Sequence, residues 1–142
     1  MLNQIPEFAV NHPFLVMAFV VLLGLVLANE LKVATRRFAS LNPAAAVQLM
    51  NSEDIVVLDV REASETAAGK ITKAIQIPVG ALKTRIGELE KHKDKTVLVY
   101  CKSGARSGVA CKELSQAGFN KVYSLNGGLL SWQEANLPIS KK

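Results

Sequence analysis

Four short runs constrain this chain most: residues 55–59 (I-V-V-L-D), 74–77 (A-I-Q-I), 96–100 (T-V-L-V-Y) and 121–125 (K-V-Y-S-L). They are apolar almost from end to end, where a strand wet on one face would alternate, so they read as strands covered on both faces. Helical patterns separate them. Asn42 and Pro43 carry N-cap and N1 chemistry for a helix running to Met50. Residues 61–68 are short and alanine-rich, residues 79–89 place apolar side chains at 79, 82, 86 and 89, and residues 107–117 align Ala110, Cys111, Leu114 and Ala117, with Gly118 at C′. Strands alternating with helices require right-handed crossovers and a mostly parallel sheet. The expected fold class is α/β: one domain over residues 38–138, flanking helices around a central sheet, and a short tail at 139–142. The charged run at 88–95 (E-L-E-K-H-K-D-K) reads as a solvated helix end and turn.

The third strand runs straight into C-K-S-G-A-R-S, residues 101–107. In open parallel sheets ligands bind beyond the carboxyl ends of strands, where the next helix presents its N-terminus. Cys101 falls at that place. The connection to the helix is short enough that it must curl over the cysteine, and Gly104 supplies the backbone freedom for the curl. Consecutive N–H groups of Lys102, Ser103, Gly104, Ala105, Arg106 and Ser107 then face inward as an anion cradle. Helix dipole, Lys102 and Arg106 favour thiolate over thiol, and the thiolate is the nucleophile. The same cations would hold an anionic substrate, Arg106 through two parallel N–H···O contacts. Cys111 lies on the core stripe of its helix and reads as a small buried hydrophobe. Asp59 ends a neighbouring strand on the same sheet edge; with Arg61 it either lines the pocket or forms an ion pair that supports the loop, the pairing being the usual fate of such charges.

Residues 14–28 (F-L-V-M-A-F-V-V-L-L-G-L-V-L-A) carry no charge. At ~1.5 Å per residue they span ~22 Å, short of a ~30 Å hydrocarbon core, so the flanks must help. Pro13 suits a first turn, Asn11 or His12 can cap it, and Asn29 to Leu31 can finish it in the interface. Residues 13–31 are therefore expected to be a transmembrane anchor. A cleaved signal peptide is the rival, but none of the 17 Lys and Arg precedes residue 32, so the basic start of a signal sequence is missing. The positive-inside rule puts residues 1–12 outside and the globular domain in the cytoplasm, on the inner membrane. Residues 32–37, with Lys32, Arg36 and Arg37, form a basic connector attractive to anionic lipid. Gly24 and Ala28 are one small-x-x-x-small pair through which a membrane-protein partner could pack.

Composition excludes several classes. Two cysteines make no disulfide framework, no C-x-x-C occurs, and His12 and His92 lie near no other ligand type at useful spacing, so no metal site or cofactor is expected. Both histidines read as solvent or interface residues. The net charge of +5 is scattered without aromatic interleaving, which gives nucleic-acid binding no support.

At these residues the chain resembles the rhodanese-like, or sulfurtransferase, domain family. C-x-x-G-x-R-S matches Cys101, Gly104, Arg106 and Ser107. L-D-V-R (58–61), G-K-I-x-x-A-I-x-I-P (69–78) and L-N-G-G-L-x-x-W (125–132) match in order and spacing, over about residues 38–138. The chain departs at Lys70, where members commonly have His, and at Lys73, where they commonly have Gly. The resemblance implies sulfur transfer in two steps: the Cys101 thiolate takes the outer sulfur of a small anionic donor such as thiosulfate, and a thiol, sulfur-carrier protein or cyanide removes it. Gly127 and Gly128 would serve a tight turn and Trp132 would pack the last helix.

Two other functions compete. Cysteine phosphatases of the related fold use C-x5-R, whereas Cys101 to Arg106 is C-x4-R and leaves a smaller pocket. A membrane-tethered binding module that recruits a membrane partner is the non-enzymatic alternative.

Overall fold

The computed structural model describes residues 4–34 and 38–141. Contacts divide the chain into two units meeting after Arg36, each described separately. In the first, helix α1 (Gln4–Asn11) is followed by helix α2 (Pro13–Ala34). His12 separates them; its carbonyl accepts from the N–H of Leu15 and Val16, both at 3.1 Å, so it caps the second helix through its backbone. Within α2, Pro13–Leu31 covers 19 residues at mean hydropathy 2.4, long and apolar enough to cross a membrane. Of the connector cations, Arg36 and Arg37 and the side chain of Lys32 lie outside the described residues.

In the second unit five parallel strands form one sheet. They are β1 (Ala39–Leu41), β2 (Val56–Asp59), β3 (Ile75–Gln76), β4 (Val97–Tyr100) and β5 (Val122–Leu125), ordered β1-β5-β4-β2-β3. The apolar runs are continuous because β2, β4 and β5 divide their side chains between two cores. Val56, Leu58, Val97 and Val99 enter one core with Leu82, Leu89, Ala110, Cys111 and Leu114. Val57, Leu98 and Tyr100 enter the other with Ala46, Leu129 and Trp132. A fully buried leucine such as Leu58 or Leu98 contributes about 2 kcal/mol.

The helices follow their caps. Asn42 accepts the N–H of Ala45 at 2.8 Å and starts α3 (Pro43–Ser52). Helix α4 (Ala63–Ala67) is shorter than the expected 61–68, because Arg61 turns back to Asp59 and the chain enters the helix through a capping box between Glu62 and Glu65. Residues 79–89 do not form one helix. A 3-10 turn (Val79–Ala81), helix α5 (Leu82–Arg85) and a second 3-10 stretch (Ile86–His92) share the span, with Gly80 and Gly87 weakening the α form. Helix α6 (Ala105–Gln116) begins two residues before the expected start, and Gly118 follows it at φ +97° as the left-handed C′ residue.

Three features carried no pattern. The edge strand β1 falls within residues 32–41, where neither strand nor helix is signalled; its three residues are mostly exposed, so burial leaves no apolar run. Beyond Leu137, Ser140 exchanges backbone bonds of 2.8 and 2.7 Å with Lys70, so pairing extends past residue 138. Lys73, where the resemblance implied glycine, adopts φ +63°, a left-handed conformation that glycine tolerates best.

Candidate active site

Strand β4 delivers Cys101 to the carboxyl edge of the sheet, and the next three residues turn into α6. The turn requires φ +110° at Gly104, whose N–H donates to Cys101 Sγ at 3.0 Å. Ser107 Oγ lies 3.8 Å from the same sulfur. The loop carbonyls are held away from the sulfur: Leu129 N–H donates to the Cys101 carbonyl at 2.8 Å and Leu130 N–H to that of Lys102 at 3.1 Å. These donors come from the first turn of α7 (Gly128–Glu134). The approach is close because Gly127 and Gly128 adopt φ +73° and +60°, and a Cβ at Gly128 would collide with the backbone of Cys101 and Lys102.

Cys101 is only 1% exposed, yet its surroundings are polar toward the sulfur. Burial alone would push the thiol up. The backbone N–H groups of Ser107, Gly104 and Ser103 and the Ser107 hydroxyl outweigh it, and the thiol lies below its ordinary value. Cys111 provides the contrast: fully buried in the core, with burial as the main cause and the charge of Cys101 adding to it, its thiol is pushed up to about 12.

The six loop residues divide by exposure. Lys102, Ser103 and Ala105 are exposed, Gly104 and Arg106 half-buried and Ser107 buried. Lys102 has no ion-pair partner among the described residues. Arg106 differs from the expectation that its two-toothed fork would hold a substrate. Glu65 occupies that fork, at 2.7 Å from Nη1 to Oε2 and 2.9 Å from Nη2 to Oε1. A planar guanidinium beside a carboxylate one helix away pairs with it. Arg106 still favours a Cys101 thiolate by its charge.

Asp59 and Arg61 were expected either to line the pocket or to pair, and they pair. Arg61 Nη2 and Nε donate to Asp59 Oδ2 and Oδ1 at 2.7 and 3.0 Å, with the side chains 4% and 0% exposed. Tyr100 Oη and Thr66 Oγ1 also donate to Asp59 Oδ2, at 2.8 and 3.1 Å. Arg61 further donates to the carbonyls of Glu65 and Gly69, at 3.3 and 2.7 Å. These bonds fix residues 61–69. They reach the cysteine loop through Tyr100, which directly precedes Cys101, and through Glu65, whose carboxylate holds Arg106.

Sequence reasoning passed over Glu65 and Ser124. Glu65 was visible as the far end of a capping box with Glu62, but its partner lies 41 residues on. Ser124 sits on β5 opposite Val99 of β4, and its Oγ is 2.8 Å from Ser107 Oγ. A lone serine in an apolar strand gives no sign of that contact.

Comparison with known proteins agrees with this arrangement. The family model described as "Rhodanese-like domain" matches residues 42–135. The chain is 35% identical over 139 residues, 97% of each chain, to the uncharacterized protein YibN of Escherichia coli (strain K12). It is 40% identical to a sulfurtransferase of Allochromatium vinosum over 92 residues, 65% of this chain and 84% of that one. The crystal structure of a rhodanese-related protein from Thermoplasma volcanium superposes with a TM-score of 0.67 at 36% identity, covering 73% of this chain and 99% of the other. A parallel sheet that ends in a cysteine cradled by amides, together with a family match over residues 42–135, shows that this chain belongs to the rhodanese-like domain family.

Proposed function

We propose that the chain is a sulfurtransferase in which Cys101 is the nucleophile and carries the sulfur. The observation that carries this reading is the Gly104 N–H aimed at Cys101 Sγ from 3.0 Å, at a helix N-terminus and beside an exposed lysine. The Cys101 thiolate attacks the outer sulfur of a thiosulfate-like anion or of a protein persulfide. With thiosulfate the donor S–S bond breaks, sulfite leaves with the electron pair, and a new S–S bond leaves a persulfide anion on Cys101. The amides of Ser103, Gly104 and Ser107 that favour the thiolate also favour this anion. Lys102 draws the anionic donor in, and Arg106 adds charge from its place on Glu65. A thiol or cyanide then attacks the outer sulfur and restores the thiolate, so one difficult transfer becomes two easier ones.

In this reading residues 13–31 anchor the chain in the inner membrane, residues 1–12 lie outside, and residues 32–37 connect to a cytoplasmic domain over 38–138. Support comes from the length and hydropathy of Pro13–Leu31 and from the absence of Lys and Arg before residue 32.

Intact mass spectrometry after thiosulfate exposure tests the chemistry. One added sulfur, lost with cyanide and absent in Cys101→Ala, is the expected result. An unchanged mass on folded protein would refute it and leave a membrane-tethered binding module as the better account.

A further inference from the structure

The cysteine sits at the bottom of its loop, so whatever exchanges sulfur with it must present that atom on a projecting group. What surrounds the mouth then decides which carriers can approach. Among the described residues of 38–141, only two large apolar side chains are strongly exposed, Val109 at 52% and Leu130 at 45%. Single exposed apolar residues are ordinary on any surface. Here both flank the same loop. Leu130 is the residue whose N–H holds the Lys102 carbonyl, and Val109 lies one helical turn beyond Ala105.

Charge gives the surface a sign. Along α6 the exposed positions Ala105, Val109, Lys112 and Gln116 follow helical spacing and make one stripe that starts three residues after the exposed Lys102 of the loop. Lys102 and Lys112 are exposed and have no ion-pair partner among the described residues, whereas the acid of α6, Glu113 beside Lys112, is half-buried with Oε2 shielded from solvent. Arg106 beside the stripe is paired with Glu65, so its fork is not open to a partner. Glu134 stands one turn past Leu130 on α7, so the cationic side of the mouth is the α6 side.

Resting on the sulfurtransferase reading, we propose that Lys102, Val109, Lys112 and Leu130 form a docking surface for a protein segment that is acidic, carries an apolar side chain and projects the thiol that exchanges sulfur with Cys101. Apolar contact at Val109 and Leu130 holds the segment, and the lysines set its charge and speed its approach.

The test uses the full chain in an uncharged detergent, loaded with sulfur by thiosulfate, and follows loss of the Cys101 persulfide by mass. Three acceptors are compared: cyanide, a short peptide with one cysteine among Asp, Glu and Leu, and the same peptide with Lys replacing the acids. The acidic peptide should react about tenfold faster than the basic one at low salt, and the advantage should fade near about 0.5 M salt. Lys112→Glu and Val109→Glu should each slow the acidic peptide by at least about threefold and leave cyanide unchanged, and Lys112→Glu should speed the basic peptide. Equal rates for the two peptides, or variants that affect cyanide and peptide alike, would overturn the docking surface while leaving sulfur transfer intact. A wild-type chain that takes up no sulfur would overturn the sulfurtransferase reading, and the docking surface with it.

Discussion

Glu65 and Arg106, 41 residues apart in the chain, meet in a two-toothed ion pair that ties α4 to the first turn of α6 beside Cys101. The pair sets the place of the arginine that sequence alone assigned to substrate.

This pair should leave a signature in acid. Hydrogen bonds from Arg106, working against burial, hold the Glu65 carboxyl down to about 2, below the ~4.3 of an unfolded glutamate. A depressed carboxyl stabilises the fold above its unfolded value and loses that contribution as pH falls through the folded one. Thermal unfolding followed from pH 5 to pH 2 should fall more steeply for wild type than for Glu65→Gln. With both side chains about one-third exposed, the pair is worth about 1 kcal/mol at neutral pH.

Asp59 is fully buried and accepts from Arg61, Tyr100 and Thr66. Asp59→Asn leaves Arg61 charged and uncompensated, which costs about 3 kcal/mol. Urea unfolding should show that loss, and Asp59→Asn combined with Arg61→Met should cost less than the sum of the two single changes.

The Ser107 hydroxyl has one proton and three neighbours: the Gly104 carbonyl at 2.9 Å, Ser124 Oγ at 2.8 Å and Cys101 Sγ at 3.8 Å. A proton donated by Ser124 polarises the Ser107 hydroxyl, which donates to the Gly104 carbonyl, and strengthens the partial positive charge it presents to the sulfur anion. Ser124→Ala should therefore shift the pH profile of Cys101 alkylation by iodoacetamide upward and slow sulfur uptake about fivefold at neutral pH, the worth of one hydrogen bond. An unmoved profile would assign Ser124 to packing alone.

Gly128→Ala places a methyl group against the backbone of Cys101 and Lys102 at a residue with φ +60°. The expected outcome is a stability loss of about 2 kcal/mol and a more than tenfold loss of persulfide formation, because the carbonyls that α7 holds back are released. Circular dichroism and mass spectrometry on the same sample separate the two effects.

Lys73 stands at φ +63° without the glycine that such a turn favours. Lys73→Gly should raise stability by about 0.5 kcal/mol, strain relief exceeding the added entropy of the unfolded glycine. Chemical unfolding resolves a change of that size.

Four of the five strands, the parallel sheet and the cysteine at its carboxyl edge were legible in sequence, because each rests on local chemistry: continuous apolar runs, Asn-Pro and Gly punctuation, and a strand-cysteine-glycine-helix order. Three exposed residues with no pattern of their own became β1 only because β5 offered an edge to pair with. The interior of the site was likewise tertiary. Whether Arg106 meets a substrate or Glu65, whether Ser124 supports Ser107, and which amides turn the Cys101 and Lys102 carbonyls outward depend on residues brought together from separate elements. Spacing along a chain encodes the period of a helix or strand, but the distance between side chains on different elements is set only when both cores have packed.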